Sequence, residues 1–416
     1  MGSEMCIRDR AKSGPLSGKK IALIAGSEFS DFQAYYLLEY LSEFGGEPEC
    51  LVISWPEVSW KWSRPHINDG TRGTFGLPLN PVPTMAPGER YNYKTFTSRN
   101  ELQPSKAREY DAVVVLGGHS ADVIRTETPV TQFVKEAFDN GAVVAGLECG
   151  PMVLMSAGIV HGQNVTGYKV IKTFLGELGT YHDVPVVRDG NLITARDSDA
   201  TAEFTRELCR AFDPHFPLYN QDVLKGKRIV IIAGQDFEDV ELCVPAMEFS
   251  WRGAEVILGT FPAPVVSRPP MLGLDVVMGN FGMSVPFQEL KDESYVVRPL
   301  RELSLTEFDA IMIPGAFCPW HCIEDEYPVD LVKRSYQAGK VVAAICHGPL
   351  VFAAADLVRG KNVAAYAACS DDLKTMGANY DPSWPAVIDG NMVTARVPDD
   401  VPEFVDAITD ALTGIK

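Results

Sequence analysis

Short apolar runs alternate with longer amphipathic stretches along most of the chain. The apolar runs are continuous and rich in β-branched residues, as strands buried on both faces are. They include "RIVIIAG" from Arg228, "AEVILGT" from Ala254, "FDAIMIPG" from Phe308, "KVVAAI" from Lys340 and "NMVTAR" from Asn391. Helix-length segments such as 240–252 and "VDLVKRSYQAG" from Val329 separate them. Strands separated by helices predict a mostly parallel sheet covered on both faces, a three-layer α/β/α sandwich.

The pattern occurs twice. "GKKIALIAGSEFSDFQ" from Gly18 returns as "GKRIVIIAGQDFEDVE" from Gly226, and "DGNLITAR" from Asp189 returns as "DGNMVTAR" from Asp389. A Gly-Pro phrase lies between these markers in both copies. We therefore predict a tandem duplication, with domains at 18–212 and 226–416 joined by a linker at 213–225. Residues 1–17 resemble a cloning scar and are expected to form a disordered leader.

Two stretches interrupt the repeats, at 55–110 and 261–308, and both are rich in Pro and Gly. We expect them to hold extra hairpins or excursions, with the second walling the site of its domain. The tryptophans at 55, 60 and 62 and His66 are expected to pack on the core and not to bind a cofactor.

The composition bears on the partners, cofactors and cellular location that can be expected. Hydrophobic residues make up 46% of the 416, charged residues 22%, and the formal net charge is −18. Such a field repels phosphate backbones and anionic lipid surfaces, so neither nucleic acid nor membrane is an expected partner. Nine cysteines without a paired framework indicate reduced thiols and a cytoplasmic location. The lack of a phosphate-binding glycine motif gives no reason to expect a nucleotide cofactor.

Cys346 is the strongest candidate for chemistry. It lies in "VVAAICHGPLVF", where a strand must turn sharply into a helix near Gly348, with His347 beside it. A helix N-terminus and an adjacent His can lower the pKa of a thiol and make it a nucleophile. A buried, inert cysteine is the alternative that the spacing leaves open.

The stretch "AICHGPLVFAAADLVRGKNVAAY" resembles the nucleophile elbow of the ThiJ/PfpI superfamily. "AGQDFEDVEL" is similar to that family's first strand and acidic loop, and "MIPGAF" to its oxyanion turn. The resemblance covers both copies. It implies a flavodoxin-like fold of the class I glutamine amidotransferase type.

The resemblance also implies roles for single residues. Cys346 would be the nucleophile, His347 its neighbour and Glu238 the nearby carboxyl group, while Asp239 and Glu241 compete with Glu238 for that assignment. Backbone N–H groups near Gly315 and Ala316 would hold the oxyanion, although Ala316 stands where the family usually has Gly.

The first copy differs at each reactive position. Alignment on the Gly-Pro phrase places Glu148 at the position of Cys346 and Cys149 at that of His347, and alignment of the first loop places Ser30 at that of Glu238. We interpret the first domain as a degenerate copy that forms an intramolecular pseudo-dimer with the second; further homo-oligomerisation stays open.

One acidic residue of the first copy has a hypothetical role in the second. "GGHSAD" places Asp122 where PfpI-type members carry an acidic residue that reaches the histidine of a neighbouring subunit. Our hypothesis is that Asp122 orients His347 and completes a Cys-His-Asp arrangement; a solvated surface Asp is the alternative.

The cluster "CPWHC", from Cys318 to Cys322, offers two thiols and a His, but no second cluster of matching spacing accompanies it, so zinc is not expected. Cys318 follows the oxyanion turn. It is interpreted either as a resolving thiol or as a loop cysteine without a role.

Together these observations predict a cofactor-independent cysteine enzyme that acts on small reactive carbonyl compounds, as glyoxalase III does on methylglyoxal. Hydrolysis of peptides or of glycated adducts is the alternative within enzymes. A redox-sensing or chaperone-like protein with an oxidisable Cys346, in a stress response, is the alternative outside them.

Overall fold

The computed structural model describes residues 5–8, 14–53, 92–96, 101–217, 221–262, 276–280, 283–292 and 294–414. The tryptophans at 55, 60 and 62 and His66, which the sequence analysis assigns to the core, lie outside these ranges. The chain divides into two compact units, one of residues 11–218 and one of residues 219–416 together with 1–10.

Strands of the first unit and of the leader come first in the chain. They are β1 (Met5–Arg8), β2 (Lys20–Gly26), β3 (Glu47–Ile53), β4 (Asn92–Phe96), β5 (Ala112–Val115), β6 (Val143–Leu147), β7 (Asn164–Val165), β8 (Thr180–Tyr181), β9 (Val186–Asp189) and β10 (Leu192–Ala195). The helices of this unit are α1 (Asp31–Glu43), α2 (Ser120–Ile124), α3 (Thr128–Asp139), α4 (Pro151–Ser156), α5 (Lys172–Leu178) and α6 (Thr201–Phe212), with 3₁₀ turns at Pro104–Glu109 and Lys169–Ile171.

The sheet of the first unit has seven strands in the order β4-β3-β2-β5-β6-β10-β9. All neighbours are parallel except β9, which runs antiparallel to β10. Strands β7 and β8 form a separate parallel pair. The central strands β5 and β6 are buried at every position, which fits their uninterrupted Val-rich sequence.

Strands of the second unit are β11 (Arg228–Ala233), β12 (Glu255–Thr260), β13 (Val276–Met278), β14 (Ser284–Pro286), β15 (Leu290–Lys291), β16 (Val296–Pro299), β17 (Ala310–Ile313), β18 (Val341–Ile345), β19 (Asn362–Val363), β20 (Asn379–Tyr380), β21 (Ala386–Asp389) and β22 (Met392–Ala395). Its helices are α7 (Asp239–Trp251), α8 (Cys318–Asp325), α9 (Tyr327–Gln337), α10 (Pro349–Ala354), α11 (Ser370–Thr375) and α12 (Val401–Thr413). The 3₁₀ turns are at Leu300–Glu302, Leu305–Glu307, Ala367–Cys369 and Pro398–Asp400.

The sheet of the second unit has the order β1-β21-β22-β18-β17-β11-β12-β16-β15. From β22 to β16 all neighbours are parallel. The predicted strands and helices of this copy are confirmed, and the parallel sheet with intervening helices confirms the α/β fold class. The leader, which the sequence analysis leaves outside the fold, contributes β1, antiparallel to β21.

The repeated "DGN" phrase has a structural explanation. The Asp389 carboxylate accepts hydrogen bonds from the backbone and side-chain amides of Asn362 at 2.9 and 3.0 Å. The Asn391 side chain donates to the carbonyl of Lys340 at 2.6 Å, just before β18. The first unit repeats these bonds, from Asn164 to Asp189 and from Asn191 to Ala142. The phrase therefore recurs because it fixes loops around the sheet.

Candidate active site

Cys346 follows β18 directly and precedes α10, at the carboxyl edge of the sheet where ligands bind in open α/β folds. Its φ is +61°, a left-handed conformation that costs a non-glycine residue about 1 to 3 kcal/mol. The surrounding backbone fixes this turn, since the Cys346 N–H donates to the carbonyl of Ala395 at 3.1 Å and its own carbonyl accepts from Tyr366 at 2.9 Å. The predicted sharp strand-to-helix turn is therefore present.

The lack of a side chain at Gly315 creates the space for the thiol. A Cβ at this position would lie 2.5 Å from Cβ of Cys346 and 2.7 Å from Oε2 of Glu241. Real Cβ atoms do not approach other atoms this closely. Gly315 is thus required by the close approach of two functional side chains to the turn after β17.

Three groups surround the Cys346 sulfur. Its Sγ lies 3.4 Å from Nδ1 of His347, and the backbone N–H groups of Ala316 and His347 donate towards it. Burial, followed by the charges of Glu241 and Glu238, nevertheless raises the pKa of Cys346 well above its ordinary value. The lowered pKa that the helix N-terminus suggests is therefore not found. A thiol with a raised pKa needs a base to become a nucleophile.

Glu241 is the carboxyl group that lies beside the thiol. Its Oε2 accepts a hydrogen bond from the Gly315 N–H at 2.6 Å, and this oxygen and the Cys346 Sγ both lie against Gly315, 2.7 and 2.9 Å from where a Cβ would stand. Burial raises the pKa of Glu241 to about 8, against the opposing effect of the hydrogen bond from Gly315. A carboxyl group with such a pKa can accept a proton near neutral pH.

The geometry favours Glu241 over Glu238, the residue that the resemblance suggested, as the carboxyl group beside the thiol. Glu238 is the N-cap of α7, and its Oε2 accepts from the backbone N–H of Glu241 at 2.7 Å. Its pKa is raised by burial and by the charges of Glu241 and Asp239. Asp239 is also engaged elsewhere, accepting from the N–H of Met283 at 2.8 Å. A signal for Glu241 was present in the sequence, because an N-cap side chain turns back onto its own helix.

The two residues expected to hold the oxyanion have different surroundings. Gly315 donates its N–H to Glu241. The N–H of Ala316 faces Sγ, and its φ of +52° shows that alanine adopts the conformation this turn requires, while the oxyanion role of both residues stays a prediction. The second donor at the sulfur is the N–H of His347.

His347 lies between the thiol and two aromatic rings. Its ring centroid is 5.0 Å from that of Tyr366 and 6.5 Å from that of Trp320. Burial lowers the pKa of His347, which favours the neutral imidazole. Sequence reasoning missed Tyr366, which lies 20 residues beyond Cys346.

The elbow of the first unit has the same backbone with different side chains. Glu148 follows β6 with φ +57°, and its Oε2 accepts from the Gly118 N–H and from Nε2 of Gln33, both at 3.0 Å. Gln33 in turn accepts the Gly117 N–H at 2.8 Å. A carboxylate thus stands at the position of the thiol, and an amide stands at that of Glu241.

The other two degenerate positions of the first unit lie beside this elbow. Cys149 is half-buried, and burial with the neighbouring charge of Glu148 raises its pKa to about 12. Ser30 is buried, with its Oγ 3.3 Å from that of Ser198.

Asp122 lies on α2, and its side chain is 60% exposed, 3.9 Å from Arg125. Its hypothetical role in orienting His347 stays a prediction.

Cys318 and Cys322 are both buried, with their sulfur atoms 4.0 Å apart. Across the part of the chain that the structure describes, no three His, Cys, Asp or Glu side chains are grouped so that they could hold a metal ion. Within the same residues, no helix combines the length and the apolar character needed to cross a bilayer.

Comparison with known proteins gives one family for both units. The model described as the DJ-1/PfpI family matches residues 19–211 and again residues 227–411. Protein DJ-1 homolog D of Arabidopsis thaliana is 27% identical over 335 residues, covering 78% of this chain and 82% of that protein. A Pyrococcus abyssi protein named as a deglycase is 31% identical over 174 residues, or 42% of this chain and 92% of that protein. Protein/nucleic acid deglycase 2 of Escherichia coli is 30% identical over 179 residues, or 43% and 94%.

Proposed function

The chain belongs to the DJ-1/PfpI family, and from this premise we propose that its second unit is a cysteine enzyme acting on small reactive carbonyl compounds. The observation that carries the proposal is that the Cys346 thiol and the Glu241 carboxyl group both lie against Gly315, 2.9 and 2.7 Å from where a Cβ would stand, with Nδ1 of His347 3.4 Å from Sγ. A nucleophile, a base and two oxyanion donors meet there, as acyl or carbonyl chemistry requires.

In the first step, the Glu241 carboxyl group acts as the base for the Cys346 thiol, and the pKa values of both groups are raised. The Glu241 carboxylate takes the thiol proton as Sγ adds to the aldehyde carbon of a 2-oxoaldehyde. A C–S bond forms, and the electron pair of the C=O bond moves to oxygen. The N–H groups of Ala316 and His347 stabilise that charge, and the oxygen then takes the proton held by Glu241, which gives a hemithioacetal and returns Glu241 to the carboxylate.

The second step is an internal rearrangement. A base moves the proton from the carbon bonded to sulfur to the neighbouring carbon, and the hydroxyl proton passes to the neighbouring oxygen, which turns a hemithioacetal into a 2-hydroxyacyl thioester. Neutral His347 and ionised Glu241 both suit this transfer. Water then cleaves the C–S bond and regenerates the thiol, so that methylglyoxal and water give lactate without an external oxidant.

Hydrolysis of glycated adducts is the second candidate, supported by the names of the relatives called deglycases. In that reaction the thiol attacks the carbon of a hemiaminal, and the amine leaves with a proton. The later steps coincide with those above. In the redox-sensing alternative, an oxidant would convert Cys346 to a sulfenic or sulfinic acid, and no carbonyl compound would be turned over.

The test measures lactate from methylglyoxal, without glutathione, for the wild type and Cys346→Ser. Cys149→Ser is the matched control, because it removes the elbow-adjacent thiol of the first unit. We expect lactate from the wild type and the control only. Equal lactate from Cys346→Ser, or none from the wild type, contradicts the proposal.

A second assay separates the two candidates. The wild type receives a preformed methylglyoxal adduct of N-acetylarginine, with an aldehyde trap that removes released methylglyoxal. Lactate formed faster than the adduct dissociates by itself favours the hydrolase. Lactate suppressed by the trap favours the 2-oxoaldehyde reaction.

A further inference from the structure

Two large aromatic side chains stand exposed beside the candidate site. Phe317 is 42% exposed and Trp320 is 52% exposed. Their ring centroids are 5.0 Å apart, with ring planes at 71°, so one edge meets the other face. Exposed aromatic pairs of this kind are typical of surfaces that bind a ligand or a partner.

Each of these residues adjoins a group that lies at the Cys346 sulfur. Phe317 directly follows Ala316, whose N–H faces the Cys346 sulfur. Trp320 packs edge-on against the ring of His347, 6.5 Å away, and the Nδ1 of that ring is 3.4 Å from Sγ. A carbonyl held at Sγ therefore has one oxyanion donor next to each aromatic residue.

The first unit lacks this feature. Its positions equivalent to Phe317 and Trp320, 198 residues earlier, are His119 and Asp122. Both of those side chains are polar and largely exposed. The aromatic pair is thus found in the copy that carries the thiol, and not in the copy whose elbow carries Glu148.

We infer that Phe317 and Trp320 form an aromatic shelf that makes the site prefer carbonyl substrates with an aryl or similarly large apolar substituent over those with a methyl group. The inference rests on the proposed function. An apolar substituent gains by covering rings that otherwise face water, and an aryl group gains further from stacking. A methyl group is too small to cover either ring.

The first experiment compares kcat/KM for phenylglyoxal and methylglyoxal in the wild type and in Trp320→Ala. We expect the variant to lower the ratio of the phenylglyoxal value to the methylglyoxal value by roughly fivefold to tenfold, the size of the loss of one aromatic contact. Trp320→Phe should retain most of the preference. Phe174→Ala, which removes a 61% exposed ring of the first unit, is the matched control and should change neither value.

A second experiment tests the shelf without turnover. Phenacyl chloride and chloroacetone alkylate a thiol by forming a C–S bond as the C–Cl bond breaks, with loss of chloride and of the thiol proton. The rate of each at Cys346 is followed by peptide mass analysis. We expect the ratio of the aryl rate to the methyl rate to fall about fivefold in Trp320→Ala.

The outcomes separate the two proposals. A Trp320-dependent alkylation ratio without lactate formation supports the shelf and overturns the proposed function. Lactate formation with an aryl preference that is equal in the wild type and Trp320→Ala overturns the shelf and leaves the proposed function intact. Equal alkylation ratios in the two proteins also overturn the shelf.

Discussion

The strand-to-helix turns at Cys346 and Glu148 have nearly the same backbone conformation but carry different reactive side chains. Cys346 has φ +61° and Glu148 has φ +57°, each between a buried strand and a six-residue helix. In the second unit a thiol at the elbow meets the acid Glu241. In the first, an acid at the elbow meets the amide Gln33.

This comparison shows what the strained turn does and does not indicate. Left-handed residues often accumulate at active sites, yet the first unit keeps the conformation without a thiol at that position. The strain is therefore a property of the strand-turn-helix geometry, whereas the chemistry depends on which side chains reach the turn. In the first unit, Glu148 also occupies the N–H donor of Gly118.

The largest expected effect comes from replacing Glu241 of the second unit by glutamine, the residue that the first unit has at the equivalent position, Gln33. Glu241→Gln should lower kcat/KM by about 10²- to 10⁴-fold, because the amide accepts the Gly315 N–H, as Gln33 accepts that of Gly117, but takes no proton. The wild-type rate should rise with pH through about 8, where the Glu241 carboxylate forms. The variant should lose this rise. Full activity with an unchanged pH profile would exclude Glu241 as the base.

The same variant has a consequence for stability. Because burial raises the pKa of Glu241 to about 8, the folded wild type holds a proton that the unfolded chain releases above about pH 4.5. Its free energy of unfolding should therefore fall as the pH rises from about 4.5 to about 8. Denaturant unfolding of Glu241→Gln should show a weaker fall over this range.

A smaller effect is expected in the first unit. Glu148→Ala should lower the free energy of unfolding by about 1 to 3 kcal/mol, because the Gly118 N–H loses its acceptor and Gln33 Nε2 keeps only Ser198 of its two. Lactate formation by the full chain should stay unchanged. Glu148→Gln, which keeps an acceptor oxygen, is the control in denaturant unfolding. A loss of lactate formation in the Ala variant would contradict a purely structural role.

The hypothesis on Asp122 predicts a milder loss. If Asp122 orients His347, Asp122→Asn should lower kcat/KM by about threefold to tenfold and shift its pH profile, because the amide keeps the shape of the side chain but not its charge. The pH profile of kcat/KM is measured because a change in stability alone would not shift it. Unchanged activity would leave Asp122 as a solvated surface residue.

The smallest effect concerns the oxyanion turn. Ala316 has φ +52°, whereas its counterpart Gly118 has φ +81°. Ala316→Gly should raise the free energy of unfolding by up to about 1 kcal/mol through relief of strain, and should retain activity because the N–H remains. Thermal unfolding measures the change. A clear destabilisation would show that the alanine is not strained.

Much of this architecture could be predicted from the sequence. Buried parallel strands are continuous apolar runs, so β11, β17 and β18 could be predicted from the amino-acid sequence alone. The elbow was predictable for a similar reason. A cysteine directly after such a run, with Gly-Pro beginning a helix, leaves the chain little choice but a sharp turn.

The remaining details depend on long-range contacts. Three acidic residues within four positions look alike in sequence, and only their hydrogen bonds separate the cap Glu238 from Glu241. The pKa of Cys346 is set by burial and by a carboxyl group more than 100 residues away. Tyr366 joins the site because a later loop folds back on His347.

Because Glu148 stands in the first unit at the position of Cys346, the number of elbow thiols per chain differs from the number of repeats. Although the repeats are two, the chain presents one elbow thiol, Cys346, and one elbow carboxyl group, Glu148. A turnover number therefore refers to the whole 416-residue chain. Dividing a measured rate by the number of repeats would understate the constant by a factor of two.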